Sequence, residues 1–438
     1  MMNLQRHKWA SLTTDEQAAL LERPAVEFDA SIRSSVREIL GEVKSRGDAA
    51  LQEYTQKFDG VELTSFEVAD AEYQQAEATL TTAQITAIDV AIANVRRFHE
   101  QQVMAPVDIE TMPGVRCQRI SHPIDSIGLY VPAGSAPLPS TALMLAVPAA
   151  IANCPERILC TPCQSDGLAD AGVLVAARRA GISRIFKLGG AQAIAAMAYG
   201  TESVPRVEKI FGPGNAWVTA AKTEVASEPG CAAIDMPAGP SEVLVIADDL
   251  ANADFVASDL LSQAEHGADS QVILICVSDD AAAAIGDAIT RQLPSLSRRT
   301  TVAESLEYCR FLVVRTLAEA VDISNRYAPE HLIIHTSNPR DLLASIRNAG
   351  SVFLGPWSPE SVGDYCSGTN HVLPTYGSAA AYSGLGVDQF MRQMTVQELT
   401  RDGLIGLAQT VVELATMEGL DAHANAVRFR IDSEMDQS

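Results

Sequence analysis

Acid, amide and imidazole side chains recur together in four segments of this chain, and such groups can move protons or hold a divalent cation. Glu330-His331 follows Pro329 and precedes an apolar run, so the pair is predicted to open a strand. Imidazole is the usual proton acceptor near neutral pH, and the adjacent carboxylate could act on water as a second base. A surface glutamate beside a half-buried histidine is the competing interpretation.

The second segment, Gln263-Ala-Glu-His266, lies near the end of a helix predicted to begin near residue 252. Gln263 and His266 are three residues apart and therefore project from one helix face. An amide oxygen and an imidazole at this spacing can bind one divalent ion such as Zn²⁺. The alternative is a polar helix end beside Gly267.

The other two segments follow later in the chain. Residues 355–371 form a loop dense in Gly, Pro and polar groups, where Asp364 could ligate a metal and His371 could contact a substrate. Glu418-Gly-Leu-Asp-Ala-His423 places an acid and an imidazole in a tail too small for its own active site. We therefore expect the tail to pack against another part of the protein. A plain surface loop and a helix break at Gly419 are the respective alternatives.

Three glycine-containing turns follow predicted strands. They are Tyr130-Val-Pro-Ala-Gly, Leu188-Gly-Gly-Ala-Gln192 and Phe211-Gly-Pro-Gly-Asn215. Glycine lets the backbone approach a ligand, and a helix that starts after such a turn favours negative charge. All three lie at carboxyl ends of strands, where α/β sheets bind ligands. The chain has no G-x-G-x-x-G motif, so no fingerprint predicts a dinucleotide.

The elements that must position these groups alternate between short apolar runs and helices. Nine runs rich in Val, Ile and Leu are predicted to be buried strands: 127–131, 157–160, 184–188, 209–211, 243–246, 272–277, 311–314, 332–334 and 351–354. This rhythm predicts parallel, helix-covered sheets in two α/β units that divide near residues 235–240. Helices are expected at 31–58 and 79–98, and two more at 395–417 and 419–429 form a tail without strands.

Composition excludes several classes of protein. The chain has 438 residues and a net charge of −23, which disfavours nucleic acid and anionic membrane surfaces as partners. The N-terminus lacks the apolar core of a signal peptide, and the longest apolar run, 142–152, is too short to span a membrane. The eight cysteines are scattered in a long chain. We expect reduced thiols in a cytoplasmic protein.

Taken together, eight segments resemble the histidinol dehydrogenase family in sequence and order. They are Tyr130-Val-Pro-Ala-Gly, Gly189-Gly-Ala-Gln192-Ala, Phe211-Gly-Pro-Gly-Asn215, Pro237-Ala-Gly-Pro-Ser241-Glu, Gln263-Ala-Glu-His266, Ala328-Pro-Glu330-His331-Leu, Gly363-Asp364-Tyr-Cys-Ser-Gly-Thr-Asn-His371-Val-Leu-Pro and Glu418-Gly-Leu-Asp-Ala-His423. The resemblance implies an α/β fold with two Rossmann-like parallel-sheet domains, similar to aldehyde dehydrogenases, and small helical terminal segments. The expected ranges are 1–25 for an N-terminal helical segment, 26–128 with 241–385 for the first α/β domain, 129–240 for an NAD-binding second domain, and 386–438 for a helical tail that reaches a partner subunit.

The resemblance also implies an activity, which is oxidation of L-histidinol to L-histidine through bound L-histidinal, with one Zn²⁺ per subunit and two NAD⁺. It implies a homodimer whose tails cross into the partner's site. By resemblance, the catalytic bases are Glu330 and His331. The implied zinc ligands are Gln263, His266, Asp364 and His423, the last from the other subunit. The implied substrate contacts are Ser241, His331, His371 and Glu418, together with the metal ligands, and the implied NAD contacts are Tyr130, Gln192 and Asn215. The competing functions are a zinc hydrolase, a sister dehydrogenase of another small polar alcohol and a non-catalytic binding protein.

Overall fold

The computed structural model of the chain describes residues 4–23, 30–133, 136–236 and 239–432. The chain forms two compact units. The first comprises Met1–Gln102 with Ile124–Gln389, and the second comprises Val103–Pro123 with Phe390–Ser438. Among the described residues, no helix combines the length and the apolar character that crossing a membrane requires.

The secondary structure consists of short strands and helices of widely varying length. In chain order the strands are β1 (Arg6–Lys8), β2 (Val107–Met112), β3 (Val115–Pro123), β4 (Ser126–Tyr130), β5 (Glu156–Thr161), β6 (Arg184–Lys187), β7 (Lys209–Phe211), β8 (Ala233–Ile234), β9 (Glu242–Ala247), β10 (Gln271–Cys276), β11 (Arg310–Val313), β12 (His331–His335), β13 (Ser351–Leu354) and β14 (Met391–Leu399). The helices are α1 (Thr14–Leu21), α2 (Ala30–Arg46), α3 (Asp48–Phe58), α4 (Asp70–Thr79), α5 (Thr82–His99), α6 (Pro139–Ile151), α7 (Ala171–Arg179), α8 (Gly190–Tyr199), α9 (Ala216–Ser227), α10 (Ala253–Ala264), α11 (Asp279–Gln292), α12 (Arg299–Ser305), α13 (Leu317–Tyr327), α14 (Pro339–Leu343), α15 (Glu360–Tyr365), α16 (Arg401–Met417) and α17 (Asp421–Asp432).

The first unit contains two parallel sheets. One has the strand order β6-β5-β4-β7-β8, and the other has the order β1-β11-β10-β9-β12-β13. All nine predicted runs are strands of these sheets, and the predicted α/β class with two parallel sheets is confirmed. The division of the chain at residues 128, 240 and 385 stays a prediction.

In each sheet the consecutive strands follow the chain order in one direction up to a point and in the opposite direction beyond it. The reversal lies between β4 and β7 in the five-stranded sheet and between β9 and β12 in the six-stranded sheet. Loops that leave two such strands diverge to opposite sides, which opens a crevice at the sheet edge. The glycine turn at 212–215 lies at this edge of the five-stranded sheet, whereas Glu330 and His331 lie at the opposite, amino edge of the six-stranded sheet.

The loop after β7 needs glycine at its first position. Gly212 has φ +121°, and a Cβ added there would collide with the carbonyl oxygen of Tyr130 at the end of β4. Only glycine combines this backbone conformation with such a close approach. The requirement fixes the loop against the neighbouring strand at the reversal point.

The predicted helix 31–58 is interrupted. Two helices, α2 and α3, replace it because Gly47 has φ +56°, and the carboxylate of Glu202 accepts a hydrogen bond of 2.8 Å from the N–H of Asp48. The apolar spacing of the two helices is continuous in sequence, so periodicity alone did not reveal the break. The prediction of a single helix was wrong at this position.

The second unit is a three-stranded antiparallel sheet, with order β14-β3-β2, followed by α16 and α17. The predicted helix at 395–417 is wrong over its first residues. Strand β14 pairs with all of β3, and α16 begins only at Arg401, after its N-cap Thr400. The residues of β14 are mostly exposed and show no clear alternation. Pairing with a strand distant in sequence, and not local pattern, sets their structure.

A buried ion pair in the first unit lies where β9 and β12 begin. The guanidinium of Arg23 donates to both carboxylate oxygens of Glu242 at 2.6 and 2.9 Å, and to the carbonyl of Tyr327 at 2.7 Å. The hydroxyl of Tyr327 donates to the same carboxylate at 2.8 Å. The Glu242 side chain is only 2% exposed, so these partners replace the water that its charge has lost.

We predict that Arg23→Met lowers the free energy of unfolding by about 3 kcal/mol, because it leaves the Glu242 charge buried without a cation. Thermal unfolding measures this loss as a fall of several degrees in Tm. Adding Glu242→Gln to Arg23→Met should restore part of it. The matched control is Lys8→Met, which removes the partner of Asp279 from a pair that is more than half exposed. Equal melting of Arg23→Met and Lys8→Met would contradict the prediction.

Candidate active site

Glu330 and His331 lie at the amino edge of the six-stranded sheet, as the sequence predicted. Helix α13 ends in a left-handed turn at Ala328, with φ +52°, and β12 begins at His331. The main chain of Glu242 holds both side chains. Its N–H donates to Glu330 Oε2 at 3.0 Å, and its carbonyl accepts from His331 Nδ1 at 3.2 Å. His331 therefore carries its proton on Nδ1 and presents Nε2 as the available nitrogen.

Carboxylates surround the His331 ring. Nε2 lies 3.6 Å from Asp364 Oδ1, and Nδ1 lies 3.6 Å from Glu360 Oε1 and 3.8 Å from Glu330 Oε2. Burial alone would lower the pKa of His331, but these carboxylates outweigh it and raise the pKa well above its usual value. Burial also raises the pKa of Glu330, to about 8. Several ionisable groups thus share one desolvated space, as in many active sites.

A cluster of donors that could hold a metal ion adjoins His331. Glu360 and Asp364 are four residues apart on α15 and share a face with each other. Their carboxylate oxygens and a ring nitrogen of His266, just beyond α10, all lie within 4.8 Å of one another. Glu360 is 1% exposed, and within the described residues neither of its carboxylate oxygens has a hydrogen-bond partner. Such unsatisfied buried groups are expected where a ligand completes the site.

Gln263 has the same property. It is fully buried in the last turn of α10, and neither amide atom finds a hydrogen-bond partner in the described part of the chain. The main-chain carbonyl of Gln263 accepts a hydrogen bond of 3.2 Å from the main-chain N–H of His266, which holds the two residues next to each other. An amide left unsatisfied in a protein interior costs about 1–3 kcal/mol, so a partner outside the chain is the expected explanation.

A small cavity of about 180 Å³ connects these groups. Its polar lining includes Ser241, His266, Glu330, His331, Asp364 and His371. His371 is fixed on both sides: Nδ1 donates to the carbonyl of Asp364 at 2.9 Å, and Nε2 accepts from the hydroxyl of Thr141 at 3.2 Å. The volume suits a small polar compound and is small for a whole dinucleotide.

A larger cavity of about 540 Å³ lies at the carboxyl edge of the five-stranded sheet and contains Tyr130, Gln192 and Asn215. The Tyr130 hydroxyl accepts from the N–H of Gly190 at 3.0 Å, and burial raises its pKa to about 12. Asn215 caps α9 by accepting from the N–H groups of Trp217 and Val218 at 3.1 and 3.2 Å. The cap uses Oδ1, so Nδ2 remains available as a donor.

One loop lines both cavities. Gly212, Pro213 and Gly214 belong to the wall of the smaller cavity, and Asn215 belongs to the wall of the larger one. This loop leaves β7 at the point where the strand order of the five-stranded sheet reverses. Ligands in the two cavities would therefore meet at a shared wall.

Most of the sequence-predicted site residues fall into two sets, while Gln263 adjoins His266 outside the described lining of either cavity. The structure brings together Ser241, His266, Glu330, His331, Asp364 and His371 in one cavity and Tyr130, Gln192 and Asn215 in the other. Glu418 and His423 belong to the second unit, where Glu418 follows α16, His423 lies on α17, and both are exposed. Gly134 of the first family segment, and Pro237 and Ala238 of the fourth, lie outside the described residues.

Sequence reasoning gave no role to Glu360. Its position had a detectable signal, because an acid four residues before Asp364 shares the same face if the segment is helical. The density of Gly, Pro and polar groups over residues 355–371 predicts a loop, in which a four-residue spacing does not place two side chains on one face. The loop prediction is wrong over Glu360–Tyr365. Helix α15 is only six residues long.

The chain was compared with known proteins. A sequence profile described as histidinol dehydrogenase matches residues 21–431. The histidinol dehydrogenases of Escherichia coli K12 and Vibrio vulnificus YJ016 are 54% and 53% identical to this chain, over 98% and 97% of both sequences. The crystal structure of histidinol dehydrogenase from Elizabethkingia anophelis superposes with a TM-score of 0.95 at 43% identity and covers 98% of both chains. The chain therefore belongs to the histidinol dehydrogenase family of oxidoreductases.

Proposed function

We propose that this protein carries out the zinc- and NAD-dependent oxidation of L-histidinol to L-histidine through bound L-histidinal, a four-electron reaction that ends histidine biosynthesis. The observation that carries the proposal is one cavity in which the Glu330–His331 pair meets the donor cluster around Asp364, beside a second cavity with the expected cofactor contacts. Membership of the family supports the same substrate and reaction.

The residues present fit a zinc ion. Gln263, His266 and Asp364 supply an amide oxygen, an imidazole and a carboxylate, which are donors that Zn²⁺ accepts. The unsatisfied amide of Gln263 and the close approach of His266 to Asp364 support this assignment. When bound, the metal would hold the imidazole and amine of the substrate and so orient its reacting carbon.

We assign the fourth ligand to His423 of a second subunit. His423 is exposed on α17, and among the described residues of the second unit large apolar side chains are exposed on the same helices: Leu414 is 54%, Met417 81% and Phe429 71% exposed. Exposed apolar groups of this kind mark protein interfaces, which supports a homodimer. Glu418, also exposed, would contact the substrate from the same tail, with Ser241 and His371 as further contacts.

The larger cavity would hold NAD, which would supply a hydride acceptor for the reaction. Tyr130, Gln192 and Asn215 are its proposed contacts. Gly190 opens α8 and Asn215 caps α9, so two helix N-termini adjoin this cavity and favour the negative charge of a diphosphate. The shared loop at 212–215 would let the cofactor's reactive end reach the substrate.

The chain's own groups account for the proton transfers. In its deprotonated form, His331 Nε2 takes the hydroxyl proton as the carbinol carbon loses its first hydride, and it returns that proton to the aldehyde oxygen when water adds. Glu330, in its ionised form, takes a proton from that water. His331 then takes a proton from the resulting diol as the second hydride leaves. Each hydride carries two electrons, so two hydride losses bring the alcohol to the oxidation level of the carboxylate, and NAD⁺ would be the acceptor of each when bound.

A reducing, cytoplasmic location is part of the proposal. All eight cysteines are free thiols in the structure, including buried Cys160 and Cys309. Burial raises the pKa of both thiols, which keeps them protonated and unreactive.

The direct test is a cofactor-reduction assay. Purified protein with L-histidinol and NAD⁺ should produce two NADH per histidinol consumed, and chelation should abolish this until Zn²⁺ is restored. A zinc hydrolase would release no NADH. A panel of other small polar alcohols, offered at the same concentration, should give rates at least a hundredfold lower. The proposal would be refuted if no substrate gave NADH above background.

We predict that His331→Asn lowers kcat by about 10²- to 10⁴-fold, because it removes the proton acceptor of both oxidation steps. Steady-state NADH formation measures the loss. The matched control is His335→Asn, on the same strand and equally buried but absent from the described lining of the substrate cavity. An unchanged turnover number in His331→Asn would contradict the assignment.

We predict that Glu330→Gln slows oxidation of supplied histidinal by about a hundredfold while slowing the first oxidation of histidinol less than tenfold. The amide can still accept the hydrogen bond from the N–H of Glu242, so the segment should keep its conformation. Single-turnover NADH formation from each substrate separates the two steps. An equal loss in both steps would show that Glu330 does not act on water.

A further inference from the structure

The larger cavity contains a carboxylate that the reaction does not use. Asp59 lines this cavity together with Tyr130, Cys163 and two exposed aromatic residues, Phe58 and Trp217. It does not line the smaller cavity, where the substrate is proposed to bind. Its function must therefore be sought at the part of the cofactor that lies away from the reacting carbon.

The position of Asp59 costs stability. Its Oδ2 is buried and has no hydrogen-bond partner among the described residues, and burial raises its pKa. It also follows α3 directly, at the helix end where the dipole disfavours negative charge. Within the described residues it forms no ion pair. Among the described residues no hydrogen bond to Asp59 Oδ2 offsets these costs, so a donor supplied by a ligand is the physical explanation.

The described wall of the larger cavity carries negative charge but no positive charge. Its lining residues are Ile39, Phe58, Asp59, Tyr130, Pro132, Ala133, Pro162, Cys163, Gly189, Gly190, Ala191, Gln192, Asn215 and Trp217. Within the described part of the chain, this lining contains one carboxylate and neither lysine nor arginine. Proteins that bind a ribose 2′-phosphate usually supply a cation for it, whereas a carboxylate accepts hydrogen bonds from ribose hydroxyls.

We infer that Asp59 is the residue that makes this protein select NAD over NADP, by accepting hydrogen bonds from the hydroxyls of the adenosine ribose. The inference rests on the proposed function, because it takes the larger cavity as the dinucleotide site. The nicotinamide must reach the shared loop at 212–215, so the adenosine half occupies the remaining space, where Asp59 lies. A 2′-phosphate there would place about two additional negative charges next to a carboxylate that has no cation beside it.

The test uses the full-length protein and two fragments of the cofactors, adenosine 5′-monophosphate and adenosine 2′,5′-bisphosphate. Isothermal titration calorimetry should show that the unmodified protein binds the monophosphate and rejects the bisphosphate. Asp59→Asn should weaken monophosphate binding about 10- to 100-fold and narrow the discrimination between the fragments. In turnover, the ratio of kcat/KM for NAD⁺ over NADP⁺ should fall, while KM for histidinol should not change.

Asp166→Asn is the matched control, because Asp166 is an exposed aspartate beyond the cavity wall and the change removes the same charge. It should leave both fragments' affinities unchanged. Thermal unfolding separates the inference from a structural role, since Asp59→Asn should keep or raise Tm by relieving an unsatisfied charge. A lowered Tm with unchanged discrimination would overturn the inference. Failure of the unmodified protein to bind the monophosphate or NAD⁺ at all would instead overturn the proposed dinucleotide site.

Discussion

The main chain of Glu242 is the contact on which the candidate site depends. Through one N–H and one carbonyl it holds Glu330 and His331, which arrive from the neighbouring strand β12. Backbone groups of a central strand cannot move without breaking the sheet, so the orientation of both side chains is set by the fold itself. The side chain of Glu242 contributes as well, because it forms an ion pair with Arg23. Arg23 also donates to the carbonyl of Tyr327, which links the end of α13 to β9. Proton acceptors held in this way meet a substrate with little reorganisation.

The two sheets contribute opposite edges to the two cavities. The five-stranded sheet presents the carboxyl ends of its strands, where glycine turns and helix N-termini suit a phosphate-bearing ligand. The six-stranded sheet presents the amino ends of β9 and β12, where Glu242 and His331 begin their strands. Under the proposed function, cofactor binding and proton transfer would use different sheets that share the wall at 212–215. The smaller cavity would then hold the substrate while the dinucleotide occupies the larger one.

Some of the buried polar groups that lack hydrogen-bond partners in the described structure lie at the site. Gln263 and Glu360 are buried without hydrogen-bond partners in the described structure, and Asp59 shows the same condition in the other cavity. Each such group costs stability, whereas buried pairs such as Lys222 with Asp235 and Lys187 with Glu72 satisfy their own charges. A ligand that supplied hydrogen-bond partners in the cavities would offset that cost. Groups kept unsatisfied for ligand binding therefore lower the stability of the free protein.

The sequence by itself determined the nine buried strands, the parallel class and the residues around Glu330, His331 and Asp364, because buried apolar runs and chemical motifs are local signals. Only the tertiary structure decided three other features. Strand β14 forms because β3 lies beside it, the helix predicted over 31–58 breaks at Gly47, and both carboxylate oxygens of Glu360 and Oδ2 of Asp59 are buried without hydrogen-bond partners among the described residues. The physical reason is common to these cases. Pairing, burial and hydrogen-bond satisfaction depend on groups far away in the chain, which no local pattern can contain.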